Sequence, residues 1–550
     1  MRIREITIRN FRSIHEMKAT LYAFTRIVGA NNAGKSNVVD AIRCFYGRKF
    51  NPDCDFPFGI NANDEESFVE VSFEGNGKDF SDILNVDGDV ILLRVRFYFH
   101  KPSDESLDGK YVVVDDAGVP VENVKPLRKL PDTILGSLIY IPSMSKPTDE
   151  LKLTGSSALN DLMGLAFSGQ YANSAAYKEF ASSVSKLTNQ SKASENNDTC
   201  SLSQIEQLLS ADLCQWGVKL NMEFKPLAVP DLIKSMLDIE LIDDETGKVV
   251  DVSRFGSGFQ RSLIFRLVKA AAEWKGSKKT DGENDGFRIM LFEEPEAFLH
   301  PDQQYELALK LKDLSVHGMQ VVCTSHSPIF VGCKSEDIPS IIRVEKKKGC
   351  TNCYQVDGDK WQSLLDANGQ FPEELNVKEE ENTAYLDEFR YALWMLGERA
   401  SIFFAKQVLL VEGATEVALI DILRENGVLS LPTGTVVVNC LGKYNIHRFM
   451  ALLREYKITC AVMYDDDSLK TNQKEKKKQA AWNRFVEDQA GRKPTVKTYP
   501  VKGDVESALG VEKFDGRDDV KPYHLMKLFH ERKYDSKKLK TICQKIESLF

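Results

Sequence analysis

The chain has 550 residues, and acidic residues outnumber basic ones by 81 to 72, which gives a formal net charge of −9. Hydrophobic residues make up 42% and charged residues 28%, a balance that excludes a wholly disordered chain. The net negative charge excludes a nucleic-acid-binding surface that is basic over the whole protein, but it allows a local basic groove. The 11 cysteines are scattered, and no stretch approaches the ~20 apolar residues that span a bilayer. We therefore expect a cytoplasmic protein with no membrane partner.

Strand-like and helix-like patterns succeed one another along the chain. The early strand-like runs share period-two alternation or an unbroken apolar character, and they are residues 2–9, 21–28, 65–75, 89–100 and 111–114. Residues 145–215 change to a helical pattern rich in Ala, Ser and Leu, after which short strands are expected at 220–225 and 236–242. Later apolar runs at 288–292 and 319–324 are typical of a parallel sheet covered on both faces.

A glycine-rich loop follows the second strand. Residues 29–36, GANNAGKS, match G-x-x-x-x-G-K-[ST], in which backbone N–H groups close on phosphates. We expect Lys35 to reach the β- and γ-phosphates of ATP and Ser36 to bind the accompanying Mg²⁺, with the positive end of the following helix nearby. The predicted nucleotide contacts here are Gly29, Asn31, Asn32, Gly34, Lys35, Ser36 and Asn37.

An acidic strand end provides the partner that such a loop needs. The apolar run at 288–292 ends in Glu293 and Glu294. We assign Glu293 to the metal of ATP and Glu294 to the general base that polarises the attacking water. Glu293 stands where aspartate is usual, and its longer arm leaves direct and water-mediated metal contact both open.

Two further motifs complete the ATPase pattern. In FGSGFQR, residues 255–261, we expect Ser257, Gly258 and Gln260 to contact a γ-phosphate. His326 follows an apolar strand, and its imidazole can donate to a phosphate oxygen, which predicts a γ-phosphate sensor. A simple turn and a structural histidine are the alternatives. In this order the motifs resemble the SMC/RecF-type branch of ABC ATPases, in which the signature of one subunit completes the ATP site of another, and this implies a dimer.

Carboxylates end two apolar strands near the C-terminus. Glu412 follows VLLV, and Glu416 lies about one helical turn further on, so both can face one point. Asp465 and Asp467 follow AVMY, and an extended chain would send both to one face and Asp466 away. Converging carboxylates repel one another unless cations neutralise them, and oxygen ligands favour Mg²⁺ or Mn²⁺. Two such ions are the usual arrangement for cutting phosphodiesters.

The pair formed by strand-Glu-Gly and Asp-x-Asp resembles a Toprim domain. A P-loop ATPase followed by Toprim resembles the OLD (overcoming lysogenization defect) family of nucleases, which includes the Gabija nuclease subunit and retron-associated members. The motifs that carry the resemblance are NNAGKSN, GSGFQR, FEEPEAFLHP, TSHSP, LLVEGATE, YDDD, DVE and KP. The resemblance implies metal ligands at Glu412, Glu416, Asp465, Asp467, Asp504 and Glu506, and a catalytic lysine at Lys521. Solvated surface charge is the alternative for the last three residues.

The expected fold class is α/β, with an N-terminal ABC/SMC-RecF-type P-loop ATPase and a C-terminal Toprim domain. The expected parts are the first ATPase part (1–144), a helical dimerisation insertion (145–225), the second ATPase part (226–370), a linker (371–400) and Toprim (401–550). The implied function is an ATP-hydrolysing, metal-dependent DNA endonuclease in anti-phage defence, with two ions at Toprim and one with ATP. The resemblance also implies a homodimer or larger homo-oligomer. This assembly would act alone, with a helicase, or with a retron reverse transcriptase and its msDNA. A non-nucleolytic DNA clamp and a Toprim RNA nuclease are the alternatives.

Overall fold

The computed structural model describes residues 1–57, 65–81, 83, 88, 90–122, 124–131, 134, 136–143, 175–193, 202–213, 221–224, 241–250, 255–256, 258–260, 262–263, 266, 288–332, 335–378, 380, 382–395, 397–511, 517 and 520–550. The chain forms two compact units. The first comprises residues 1–138 and 286–550, and the second comprises residues 139–285. No helix in the described part of the chain is both long and apolar enough to cross a bilayer.

The described strands are β1 (Arg2–Phe11), β2 (Ile14–Thr20), β3 (Phe24–Val28), β4 (Ser67–Gly75), β5 (Ile91–His100), β6 (Tyr111–Val114), β7 (Ser137–Ile141), β8 (Leu241–Ile242), β9 (Val249–Val250), β10 (Arg288–Glu293), β11 (Met319–Ser325), β12 (Ile341–Lys347), β13 (Cys350–Tyr354), β14 (Gln407–Val411), β15 (Thr435–Asn439), β16 (Thr459–Asp465) and β17 (Lys497–Val501). The described α-helices are α1 (Lys35–Phe45), α2 (Pro52–Asp55), α3 (Ala175–Ala193), α4 (Leu202–Leu213), α5 (Pro301–Val316), α6 (Gly358–Asn368), α7 (Ala384–Trp394), α8 (Ala414–Glu425), α9 (Ile446–Glu455), α10 (Gln473–Gly491), α11 (Val505–Leu509), α12 (Lys521–His530) and α13 (Ser536–Glu547).

The first unit opens with an antiparallel sheet in the order β2-β1-β4-β5-β6. β1 forms a strand as predicted, with Ile3, Ile6 and Ile8 buried and Arg2 and Arg4 exposed, but a register shift between Ile3 and Glu5 interrupts the predicted period-two alternation. A half-buried strand of this kind places one face on the core and leaves the other in water.

A second sheet carries the nucleotide-binding motifs, and its strands in the first unit run in the order β13-β12-β3-β11-β10. β3, β10, β11 and β12 are parallel, and β13 returns antiparallel to β12. The apolar runs predicted as buried strands are confirmed, since every residue of β11 and all but the first of β10 are buried. Strand tips that lie next to one another bring their following loops to one edge, which is where an α/β sheet binds ligands.

The C-terminal sheet is wholly parallel, in the order β15-β14-β16-β17. β14 is buried on both faces, because Val408 and Leu410 contribute to one hydrophobic core and Leu409 and Val411 to another. An unbroken apolar strand is what a sheet covered by helices on both sides requires.

The ATPase and C-terminal sheets of the first unit share one of these cores. Val28 and Ile341 of the ATPase sheet belong to the same buried cluster as Val408 and Leu410. The buried Arg343 of β12 also donates to the carbonyls of Ala405 (3.3 Å) and Tyr456 (3.1 Å). The two regions are therefore packed as one body.

The segment expected to be a linker, residues 371–400, contains α7. Its Tyr391 and Trp394 lie three residues apart on one face, and both are buried in the shared core. The Tyr391 hydroxyl also donates to the carbonyl of Arg448 at 2.8 Å. This segment thus packs on the fold instead of bridging two independent parts.

The second unit is described only in parts. α3 and α4 lie within the segment predicted to be a helical insertion, and they pack on one another. Residues 221–224, where a strand was expected, have no regular structure, while β8 lies within the strand expected at 236–242. The rest of the predicted insertion lies outside the described residues.

Candidate active sites

The glycine-rich loop lies at the tip of β3 and leads directly into α1. Gly34 caps α1 with φ 105°, a left-handed conformation that favours glycine. A Cβ atom at this position would lie 2.1 Å from Oγ1 of Thr351. The same Oγ1 donates to the Ala33 carbonyl at 3.0 Å, so β13 packs directly against the loop. Gly34 is therefore required both by its conformation and by this close contact.

Lys35 is buried at the start of α1. Its ammonium donates to the carbonyls of Gly29 and Ala30, both at 3.1 Å, and lies 3.4 Å from Nδ1 of His326. Burial lowers the pKa of Lys35 to about 8, although the charge of Glu294 opposes that shift. Ser36 is exposed beside it. A buried, partly desolvated ammonium next to exposed loop residues is suited to a phosphate group.

The acidic pair and the histidine lie together because β10, β11 and β3 are neighbours. Glu293 is the buried last residue of β10, in register with Thr324. Glu294 has φ 44°, and two hydrogen bonds to Thr324, from its N–H to O (3.0 Å) and to Oγ1 (3.1 Å), hold this unusual conformation. Its Oε1 lies 3.3 Å from Nε2 of His326. The proposed base and the proposed sensor are therefore in direct contact.

The protonation state of His326 follows from its neighbours. Burial and the Lys35 charge lower its pKa, which favours the neutral ring. Because Nδ1 faces the Lys35 ammonium, Nδ1 is the acceptor and Nε2–H is the donor to Glu294. In this tautomer the ring has a proton at the end that faces the carboxylate.

Sequence reasoning missed Glu296, the third glutamate of FEEPEAF. It is buried, burial raises its pKa, and its Oε1 accepts the backbone N–H of His326 at 2.5 Å. Its presence in the acidic motif was the available signal. Arg12, in the turn after β1, pairs with Asp40 (2.6 Å) and Asp55 (2.8 Å).

The signature motif lies in the second unit. Ser257 is outside the described residues. Gln260 donates from Nε2 to the carbonyl of Phe255 at 2.7 Å, and Phe255 stacks on Phe259 at 4.3 Å. The γ-phosphate contacts assigned to Ser257, Gly258 and Gln260 stay predictions.

The C-terminal carboxylates lie at the carboxyl edge of the parallel sheet. Because β14 and β16 are neighbours, Glu412 follows one strand where Asp465 ends the other, and Glu412 Oε2 accepts the N–H of Asp465 at 3.2 Å. Glu416 is buried and its Oε2 accepts the N–H of Gly413 at 2.7 Å. Asp466 instead accepts the N–H groups of Gly503 (2.6 Å) and Ser468 (2.8 Å).

These carboxylates repel one another electrostatically. Burial raises the pKa of Glu412 to about 7, with Lys443 opposing and Glu416 and Asp467 adding to the shift. Burial, followed by the charges of Glu416 and Glu412, raises the pKa of Asp465 as well. Oδ1 of Asp465 is buried and has no hydrogen-bond partner among the described residues. A divalent cation with oxygen ligands is what such a donor set fits.

The three more distant predicted residues also act on this cluster. Asp504 caps α11 by accepting the N–H of Ser507 at 2.8 Å, and its charge raises the pKa of Asp465. Burial raises the pKa of Glu416, the charge of the buried Glu506 adds to this, and the charge of Lys521 opposes it. All three are therefore near enough to influence the strand-end carboxylates.

Lys443, in the loop after β15, was missed entirely. Its buried ammonium lies 2.8 Å from Asp467 Oδ2, 3.3 Å from Gln479 Oε1 and 4.0 Å from Glu412 Oε2. Asp467 has φ 54° beyond the end of β16, so the chain is not extended there as the sequence argument assumed. Within the described ranges no three His, Cys, Asp or Glu side chains are grouped to hold a metal, and Asp467 instead pairs with Lys443 at 2.8 Å. No sequence pattern pointed to this lysine.

Two family profiles match this chain, one over the ATPase region and one over the C-terminal sheet. A family profile described as "AAA domain, putative AbiEii toxin, Type IV TA system" matches residues 24–332. A profile described as "Overcoming lysogenization defect protein-like, TOPRIM domain" matches residues 403–467. The first match contains the P-loop and the acidic pair. The second match contains the carboxylates from Glu412 to Asp467.

Two curated proteins are similar over most of the chain. "Old nuclease" of Escherichia phage P2 is 25% identical over 486 residues, covering 85% of this chain and 78% of that protein. "OLD nuclease" of Thermus scotoductus is 22% identical over 568 residues, covering 96% and 94%. Among solved structures, an SMC head bound to the C-winged helix domain of ScpA is 15% identical with a TM-score of 0.38, covering 66% of this chain and 99% of that chain.

The first profile spans more than half of the chain, and the second lies on the carboxylate-bearing sheet. Nucleotide and divalent-metal use follow from these two domains. The chain therefore belongs to the AAA-domain ATPases matched by the first profile, and it also carries an OLD-like TOPRIM domain and is homologous to the two Old nucleases.

Proposed function

We propose that this protein is an ATP-dependent, divalent-metal-dependent nuclease that hydrolyses phosphodiester bonds of DNA at the TOPRIM carboxylates. The observation that carries the proposal is the pairing of Glu412 and Asp465 at adjacent parallel strand tips, with a buried Asp465 oxygen that lacks a partner among the described residues. The nuclease names of both relatives support the assignment.

The metal ligands proposed are the carboxylates that follow or end β14 and β16, the one in the first turn of α8, and the two acidic residues at the start of α11. They are Glu412, Glu416, Asp465, Asp467, Asp504 and Glu506. We assign two Mg²⁺ or Mn²⁺ ions to them, and bound divalent cations supply Lewis-acid activation of water and stabilise charge on the phosphate. Lys521 is proposed to stabilise negative charge on the cleaved phosphate.

ATP at the ATPase site is proposed either to activate or to inhibit DNA cleavage at the TOPRIM site. Lys35 binds the β- and γ-phosphates, Ser36 and Glu293 hold one Mg²⁺, and Glu294 is the general base. His326 is held by Lys35, Glu294 and the Glu296 carboxylate, and in the ATP-bound protein its Nε2–H donates to the γ-phosphate in place of Glu294. Glu296 is a positioning residue, because it contacts the backbone of His326.

The assembly and setting are proposed from the sequence resemblance alone. We infer a homodimer or larger homo-oligomer in which Ser257, Gly258 and Gln260 complete an ATP site of another subunit. We also infer a role in anti-phage defence, alone, with a helicase, or with a retron reverse transcriptase and its msDNA. Light scattering of the purified protein with and without ATP tests the oligomer directly.

The decisive test is incubation of the protein with supercoiled plasmid and Mg²⁺ or Mn²⁺, with and without ATP, beside the Glu412→Ala variant. We expect metal-dependent nicking or linearisation that the variant loses while it still binds a fluorescent ATP analogue. A structured RNA in a parallel reaction tests the choice of substrate. Cutting that survives Glu412→Ala would show that the carboxylate assignment is wrong.

A further inference from the structure

A small pocket of about 300 Å³ lies beside the carboxylates, between residues 371–382, α9 and α10. Aromatic rings from Phe371, Tyr444 and Trp482 line it, together with the basic side chains of Arg448 and Lys478. No aspartate or glutamate is among the described residues that line it. Its size lies at the lower end of the range of about 300–1,000 Å³ that small-molecule sites occupy.

A short chain of hydrogen bonds joins this pocket to the carboxylates. Gln479 donates from Nε2 to the Tyr444 hydroxyl at 3.0 Å and accepts on Oε1 from Lys443 at 3.3 Å. The Lys443 ammonium in turn lies 2.8 Å from Asp467. Tyr444 directly follows Lys443, so one loop contributes both to the pocket and to the carboxylate cluster.

The aromatic side chains of the pocket offer stacking surface and an unused donor. Trp482 is 5% exposed, and its indole N–H has no acceptor in the described part of the chain. A buried donor of this kind is unfavourable unless something pairs with it. Tyr444 is 39% exposed, and its ring lies 4.6 Å from that of Trp482. A planar ligand with an acceptor atom would use both features.

The surface beside the pocket is basic. Lys474, Lys476, Lys477 and Lys478 are exposed in the first turns of α10, against one acidic residue, Glu475. The Lys478 ammonium lies 5.8 Å from the Tyr444 ring. Arg448, by contrast, is fixed, because its Nε donates to both oxygens of the buried Asp387 at 2.9 Å. Lysines that follow a backbone next to rings that stack bases are the usual means of holding single-stranded nucleic acid.

We propose that this pocket binds an unpaired base of the DNA strand whose phosphate is cut at the TOPRIM carboxylates. The inference rests on the proposed nuclease function and specifies its substrate, which is DNA with a single-stranded or unpaired segment at the cleavage point. The base stacks on Tyr444 and pairs with the Trp482 indole N–H, and Lys478 binds an adjoining phosphate.

The test measures binding of fluorescein-labelled DNA by anisotropy in EDTA, so that cutting does not intervene. The probes are a single strand of about 20 nucleotides, longer than the ~4–16 nucleotides of a typical single-strand site, its full duplex, and a duplex with one unpaired thymidine. Tyr444→Ala is expected to weaken binding of the first and third probes by about 5- to 100-fold and to leave the full duplex unchanged. Trp482→Phe, which keeps the ring and removes the N–H, should give a smaller loss on the same probes.

The control is Tyr305→Ala, an exposed tyrosine of α5 that does not line the pocket. It should bind all three probes as the unmodified protein does. Unchanged thermal unfolding and ATP-analogue binding show that the Tyr444 variant is folded. Equal weakening on all three probes, or none on any of them, overturns the proposal. Binding of thymidine monophosphate that depends on Tyr444, without Tyr444-dependent binding of DNA, also overturns it and assigns the pocket to a free nucleotide.

The plasmid reaction separates this proposal from the nuclease proposal. If the protein cuts plasmid and Tyr444→Ala changes no DNA binding, the pocket assignment fails and the nuclease stands. If Tyr444-dependent binding of unpaired DNA is found but no metal or nucleotide condition gives cutting, the nuclease assignment fails and the binding pocket stands.

Discussion

Replacing Glu412 by glutamine should make the metal-free protein more stable at alkaline pH. Burial raises the pKa of Glu412 from 4.5 to about 7, and the neighbouring carboxylates of Glu416 and Asp467 add to this shift. A raised carboxyl pKa means that the folded state holds the proton more tightly than the unfolded chain. The resulting stability is complete below about pH 4.5 and is lost as the pH rises through about 7. Glutamine keeps an oxygen for the Asp465 N–H and has no charge to bury.

The size of the effect follows from the same values. The difference between 4.5 and about 7 corresponds to about 3 kcal/mol, and we reduce this to about 2 kcal/mol because 26% of the side chain is exposed. Glu412 lies in the larger compact unit, residues 1–138 and 286–550, and at roughly 2.1 cal/mol/K of unfolding entropy per residue this predicts a Tm increase of about 2–3 °C at pH 8. At pH 5 the increase should fall to about a quarter of that.

The assay is thermal unfolding of both proteins in EDTA at pH 5 and pH 8. Glu425→Gln, which changes an exposed glutamate at the end of α8, is the matched control and should leave the Tm unchanged at both pH values. Added Mg²⁺ or Mn²⁺ should raise the Tm of the unmodified protein more than that of the Glu412 variant. A variant that is less stable at pH 8, or that differs equally at both pH values, would refute the electrostatic reasoning.

Three further predictions concern the ATP site and the shared core. Lys35→Ala removes the buried ammonium and should reduce binding of a fluorescent ATP analogue by more than about tenfold; unchanged binding would remove Lys35 from the site. Glu294→Gln should retain ATP binding and slow hydrolysis by about 100-fold or more in a phosphate-release assay, and unchanged hydrolysis would assign the base elsewhere. Arg448→Met leaves the fully buried Asp387 with Arg390 as its ion-pair partner among the described residues and should cost about 3–5 kcal/mol in denaturant unfolding, whereas a loss under about 1 kcal/mol would show that the pair contributes little.

The sequence predicted those parts of the sites that depend on local spacing. The loop before Lys35 and the acidic ends of β10, β14 and β16 are each encoded by a short run of residues. Their convergence followed from one general property, that neighbouring parallel strands end at the same edge. The contact between Glu294 and His326 is an example, because each residue directly follows its own strand.

What the sequence did not predict depends on long-range packing. Lys443 reaches Asp467 from a loop 24 residues earlier, and no spacing rule links a lone lysine to a distant aspartate. The left-handed backbone at Asp467 likewise follows from the hydrogen bond of its N–H to the Gly503 carbonyl at 2.9 Å. The glutamate-rich composition of residues 371–400 is typical of a linker. It does not indicate that two aromatic residues in this segment anchor α7 in the core.

The shared core has a consequence for how such proteins evolve. The TOPRIM domain packs against Val28 and Ile341 of the ATPase sheet, and separating the two domains would expose this apolar surface to water. The TOPRIM domain therefore cannot be inherited independently of the ATPase domain. Recombination should therefore succeed only where breakpoints keep residues 24–28 and 341–354 with residues 384–464 on one gene segment. Shuffled hybrids that respect this rule should stay soluble, while hybrids joined within α7 should aggregate.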